Sequence, residues 1–217
     1  MKCYKLTTQE NTTYGGCLWG EGVTHKTSGR GNLCSKGWFH AYPHPLIAIL
    51  LNPIHANIQN PKLWECEGEG EHKENRGLKG GYTKLTTVRE IPLPSITCEH
   101  KIRFAIFCAQ EVYSNKSWQR WAEAWLDGSD RTADAAVYAA EAVDADIAYA
   151  ADAADAAIDA ADAAAEAAEA AIDAAYAVDA DVAYAADAAV YAAYAADAAA
   201  PLDLIAIAKK AVEKTTP

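Results

Sequence analysis

The sequence predicts an α+β N-terminal domain, a small mixed sheet with helices, followed by a long Ala-rich α-helical coiled-coil or bundle segment. Three observations predict this. Charge is divided: residues 1–130 carry 15 Lys and Arg against 13 Asp and Glu, whereas residues 131–217 carry 4 against 17. Every Trp, Cys, Gly and His precedes residue 131, and Ala dominates after it. Short alternating runs separated by Gly-rich turns fill the first part, and a helical apolar period fills the second. The expected division is therefore 1–130 globular, 131–200 helical repeat, and 201–217 a short C-terminal helix and tail.

Residues 2–7 read as an entering strand. Residues 10–37 are rich in Gly, Thr, Ser and Asn, which is turn chemistry. Gly37–Tyr42 fits a short buried strand. Pro43 and Pro45 open an apolar helix, Leu46–Leu51, because proline is tolerated in a first helical turn, and Asn52-Pro53 ends it. Leu63–Glu71 and Tyr82–Glu90 alternate and read as strands, with Gly68–Gly81 as the loop between them. Ser95 or Thr97 caps a helix running to about Tyr113. A second helix, Lys116–Leu126, places Trp118, Trp121 and Trp125 on one face for core packing. Asp127-Gly-Ser-Asp130 is a turn, and Leu204–Glu213 a last short helix.

Residues 132–200 hold 39 Ala, 15 acids, 8 Val or Ile, 6 Tyr and 1 Thr, with no Gly, Pro or basic residue. Ala is the best helix former, so a continuous helix here spans roughly 100 Å at 1.5 Å per residue. Val143-Asp-Ala-Asp-Ile-Ala-Tyr-Ala-Ala-Asp returns at Val178-Asp-Ala-Asp-Val-Ala-Tyr-Ala-Ala-Asp, five heptads on. A heptad frame aligns Val143, Ile147, Ala154, Ala161, Ala168, Ala175, Val178 and Val182 on one apolar seam, with 11 of the 15 acids opposite. That seam is the expected homo-oligomerisation surface. The alternative is a set of shorter helices folded on each other at the Val-Asp-Ala-Asp units.

Acidic balance argues against direct nucleic-acid binding and against anionic membranes. The longest apolar run, Leu46–Leu51, is too short to cross a bilayer. The N-terminus lacks an export signal core, so the expected location is cytoplasmic, with the six cysteines reduced rather than bridged. The acids after residue 131 fall about one per 7 Å, against one per ~1.7 Å of duplex axis. An acidic decoy that mimics nucleic acid would therefore need oligomerisation.

The candidate polar residues are His25, His40, His44, Glu69 and Glu71, read as a ligand-binding set. A zinc site is disfavoured because Pro43 and Pro45 keep His40 and His44 off a common helix and no cysteine pair accompanies them. No metal, cofactor or catalytic residue is assigned. The alternating Glu65, Glu67, Glu69 and Glu71 read as a solvated strand face. No Gly cluster matches a phosphate-binding loop.

Four segments carry a resemblance: Lys2-Cys-Tyr-Lys5, Leu33-Cys-Ser-Lys-Gly-Trp-Phe-His-Ala-Tyr-Pro-His-Pro-Leu46, Leu63-Trp-Glu-Cys-Glu-Gly-Glu-Gly70 and Leu85-Thr-Thr-Val-Arg-Glu-Ile-Pro92. Together they resemble an uncharacterised domain of phage and prophage proteins, over about residues 1–125, whose members often carry a low-complexity repeat tail. The resemblance implies a phage-type accessory protein, in the host cytoplasm, that binds a host protein or a small nucleotide. The pattern is also loosely similar to ADP-ribosyltransferase-like folds, which would set His40 against a nicotinamide nucleotide with Glu69 or Glu71 assisting. Fold likeness alone assigns no activity, and the expectation is a binding protein rather than an enzyme.

Overall fold

A computed structural model describes residues 1–111, 113–132, 134–139 and 202–213. The chain divides into two compact units, Met1–Ser95 and Ile96–Pro217.

The first unit is built on one long hairpin. Strand β6 (Lys62–Asn75) pairs antiparallel with β7 (Lys79–Ile91). The expected Gly68–Gly81 loop is thus mostly strand, and only a tight turn at 76–78 remains. Gly70 makes this possible: at φ +79 it adopts the left-handed region open to glycine, where the register shifts between Glu69 and His72. Before the hairpin come β1 (Lys2–Thr7), the two-residue strands β2 (Thr12–Thr13) and β3 (Cys17–Leu18), β4 (Thr24–Lys26) and β5 (Phe39–Ala41). β1 pairs with β6, while β4 and β5 share the other edge of β7. Tyr4 and Tyr42 then exchange two backbone bonds of 2.8 and 2.7 Å, joining β1 to the residue after β5. The circle β1-β6-β7-β5-β1 is thereby closed, which removes most of the free strand edge.

The expected mixed sheet with helices is corrected by this arrangement. Every described pairing is antiparallel, and the unit carries only short helices, α1 (Pro45–Leu50) and α2 (Asn52–His55). Asn52-Pro53 does not end the helical region, because Pro53 occupies a first turn, where its missing N–H costs nothing. Alternation along β1 turns Cys3, Lys5 and Thr7 inward, at 0, 8 and 0 % exposure. The cross-strand partners of Cys3 and Lys5 are Cys66 and Trp64, and with Trp19, Ala41, Tyr82 and Leu85 they fill the interior. Leu6 and its partner Leu63 take the opposite face, and α1 packs on β1.

In the second unit, α3 (Cys98–Gln110) starts with a capping box between Thr97 and His100. Helix α4 (Lys116–Asp127) starts on Asn115 and stops at Gly128, at φ +81. Glu99 meets Arg131 at 2.9 Å and Gln110 meets Gln119 at 3.3 Å, so α3 and α4 run antiparallel. Trp118, Trp121 and Trp125 are buried, as their spacing requires. Helix α5 (Leu204–Val212) packs on α3. Its last carbonyls, Lys210 O and Ala211 O, accept from the buried Arg103 guanidinium at 3.3 and 2.9 Å.

The described residues do not include the long Ala-rich coiled-coil or bundle of the expected fold class. Among the described residues no helix exceeds the 13 residues of α3, and of residues 131–200 only 131, 132 and 134–139 are described, with 134–139 as helix. Val143, Ile147, Ala154, Ala161, Ala168, Ala175, Val178 and Val182 lie outside the described residues. Among those described, no helix is long and apolar enough to cross a membrane.

Candidate functional site

The polar feature of the first unit that packing alone does not explain is Lys5. Its Nζ donates to His40 O at 2.9 Å and lies 4.6 Å from the centre of the Trp19 ring. Burial holds its pKa below the ordinary lysine value. Cys3 and Cys66 lie beside it, but they do not supply a counter-charge. Burial pushes the Cys3 thiol up to about 11 and the Cys66 thiol higher still, so both stay neutral at pH 7. Among the described residues no carboxylate pairs with Lys5. Among the described residues its charge is met by one carbonyl and the face of an indole.

Trp19 is the hub of a ring cluster. Thr13 Oγ1 accepts from its Nε1 at 2.8 Å. The His25 ring meets it edge-on at 4.6 Å and the Phe39 ring at 5.5 Å, with His25 and Phe39 5.7 Å apart. His25 Nε2 hydrogen-bonds Leu18 O at 2.7 Å, which ties β4 to the β2–β3 ribbon. That ribbon leaves two large side chains exposed, Tyr14 at 91 % and Leu18 at 60 %.

The five residues singled out from sequence do not converge. His25 belongs to this ring cluster. His40, on β5, turns its Nε2 to Leu33 O, and burial lowers its pKa. His44 caps α1, its Nδ1 accepting from Leu46 N–H at 3.2 Å. Glu69 pairs with Lys84, whose bond lowers its pKa, on an exposed stretch of β6. Glu71 follows the Gly70 bulge, where its N–H donates to Thr83 Oγ1 at 2.9 Å. The alternation of Glu65, Glu67 and Glu69 therefore stops at Gly70. Among the described residues no group of His, Cys, Asp or Glu is placed to hold a metal ion.

Lys5, Trp19, Tyr14 and Leu18 were not singled out from sequence. A sequence signal existed for Lys5: Cys3, Lys5 and Thr7 share one strand face with β1 wedged among apolar partners. Nothing local marks that face as the inner one. Comparison with protein-family models, with curated proteins and with solved structures finds no match to the chain.

Proposed function

We propose that residues 1–95 are a non-catalytic binding module of a phage-type accessory protein, docking a host protein through Tyr14 and Leu18. The observation that carries this reading is the exposure of Tyr14 and Leu18 on a ribbon held rigid by the Trp19–His25–Phe39 cluster. Tyr is a favoured anchor at interfaces, because it supplies area at low entropy cost. The dispersal of His25, His40, His44, Glu69 and Glu71 argues against a shared acid–base centre.

A photo-reactive phenylalanine placed at position 14, and separately at position 73 on the hairpin, tests this in bacterial cytosol. The expected result is one discrete protein adduct from position 14 only. Excess unlabelled wild-type protein should compete it away, and a Tyr14→Ser/Leu18→Ser double variant should not. Equal competition by both proteins overturns the reading. So does a thermal stabilisation by NAD that His40→Ala abolishes, since that outcome favours the nucleotide-binding alternative.

A further inference from the structure

The connection from β4 to β5 runs over β7 as a strap. Thr27 N–H donates to Thr83 O at 2.8 Å, and Gly29 N–H donates to Gly37 O at 3.0 Å, forming a neck. The neck needs glycine on both sides. Gly29 is at φ +68, and a Cβ on Gly37 would lie 1.9 Å from Arg30 O. Between them, Arg30, Gly31, Asn32, Cys34 and Lys36 are exposed. Close to the neck, residues 30–36 are tied by Thr27 Oγ1 donating to Lys36 O at 3.2 Å, by Trp38 N–H donating to Ser35 O at 3.4 Å and by Gly37 N–H donating to Ser35 Oγ at 3.3 Å, and farther out the ties are few. Lys73 Nζ and Trp38 Nε1 both donate to Gly31 O, at 2.9 and 3.2 Å, and His40 Nε2 faces Leu33 O. The one apolar anchor is Leu33, which fills the space left by Gly81: a Cβ there would meet Leu33 Cδ1 at 2.4 Å.

A segment with one apolar anchor, a glycine neck and exposed flanks has the makings of a local opening unit that moves without global unfolding. We propose that residues 30–36 form a lid that opens about the Gly29–Gly37 neck while the barrel stays closed. Opening frees the His40 imidazole, the Trp38 indole N–H and the Lys73 ammonium, three donors around the Gly81 notch. His40 is half-buried, and its Nε2 is freed when Leu33 O leaves it. This inference does not rest on the Tyr14–Leu18 surface and survives or fails separately from it.

The test is the rate at which diethylpyrocarbonate modifies His40 in the full chain, mapped by mass spectrometry, alongside amide exchange of β6 and β7. Lys73→Gln removes a charge-assisted tie from an exposed position and should raise the His40 rate about tenfold. Leu33→Ala should raise it further. Exchange in β6 and β7 should stay unchanged in both variants. Unchanged His40 rates in both variants overturn the lid. A His40 rate that rises only together with β6 and β7 exchange overturns it as well, because His40 then becomes accessible by global unfolding.

Discussion

The interiors of the two units differ in how they treat polar side chains. In the barrel, backbone groups are consumed by strand pairing, and inward polar side chains find partners: Thr7 Oγ1 accepts from Trp64 Nε1 at 3.0 Å, and Lys5 reaches His40 O. In the helical unit, each helix satisfies its own backbone, and the interior is filled by large rings. There, among the described residues, Trp118 Nε1, Trp121 Nε1 and Arg103 Nη1 are buried with no acceptor. A closed antiparallel sheet thus brings distant carbonyls and hydroxyls to its inner face. A pair of helices turns its carbonyls along its own axes and leaves indole donors to whatever apolar neighbour packs on them. Stability in the second unit should therefore depend on ring area, and stability in the first on the balance between burial cost and pairing at each inward polar group.

The largest expected effect breaks the helical side of that contrast. Trp118 is fully buried, and its ring meets Tyr113 at 5.6 Å and Trp121 at 5.7 Å. Trp118→Ala should cost about 3–5 kcal/mol, as large-to-small core changes do. Circular dichroism should show helix lost at a lower temperature, while the amide exchange of β6 and β7 remains at the wild-type rate. Loss of both together would mean that the two units fold as one.

The elements legible in the sequence were those set by local chemistry. Thr97 caps α3, Pro45 opens α1, Gly128 ends α4, and the three tryptophans share a buried face. What was not legible depends on distant partners. Closure of the sheet rests on one Tyr4–Tyr42 bridge across 38 residues of sequence, and nothing local announces it. The Gly68–Gly81 stretch looked like a loop because Gly and charge are loop signals. Yet Gly68 is there to admit the Tyr82 ring, whose Cδ1 would be 2.2 Å from a Cβ, and Gly81 to admit Leu33. Of the candidate site, His25 was found and its role was not, because the ring cluster joins residues 19, 25 and 39 from three separate segments.

Lys5 sharpens the polar side of the comparison. Its folded pKa lies below its ordinary value near 10.5, so the unfolded chain holds the proton more tightly than the barrel does. Stability should then rise with pH from the folded pKa of Lys5 up to about 10.5, and below that window the burial cost is fully present. Lys5→Met keeps the length of the side chain and removes the charge. Replacing a buried charge in this way is commonly neutral or stabilising, by about 1–4 kcal/mol. Urea unfolding at pH 7 and pH 10 should show a stabilised variant that has lost this pH dependence. A destabilised Lys5→Met protein would mean that the His40 carbonyl and the Trp19 face outweigh desolvation.

The smallest expected effect concerns His55, at the end of α2, which stacks on Tyr42 with ring centres 5.8 Å apart. Tyr42 is the residue whose backbone closes the barrel, so the charge state of His55 bears on that closure. Burial pushes the imidazole down to about 4, from an ordinary value of 6.5, with Lys79 adding to the effect. Between those values the unfolded chain binds a proton that the folded chain refuses. The neutral imidazole therefore leaves stability intact above pH 6.5, and stability falls as pH drops from 6.5 towards 4. The loss should total about 1–3 kcal/mol for a partly exposed ring. His55→Phe keeps the stack on Tyr42 and removes the titration. The difference between wild type and variant, measured by urea unfolding at pH 7 and pH 4.5, isolates this contribution from that of the carboxylates, which titrate in both proteins. If both proteins lose stability equally over that range, His55 titrates alike in the folded and unfolded chains, and closure at Tyr42 is insensitive to its charge.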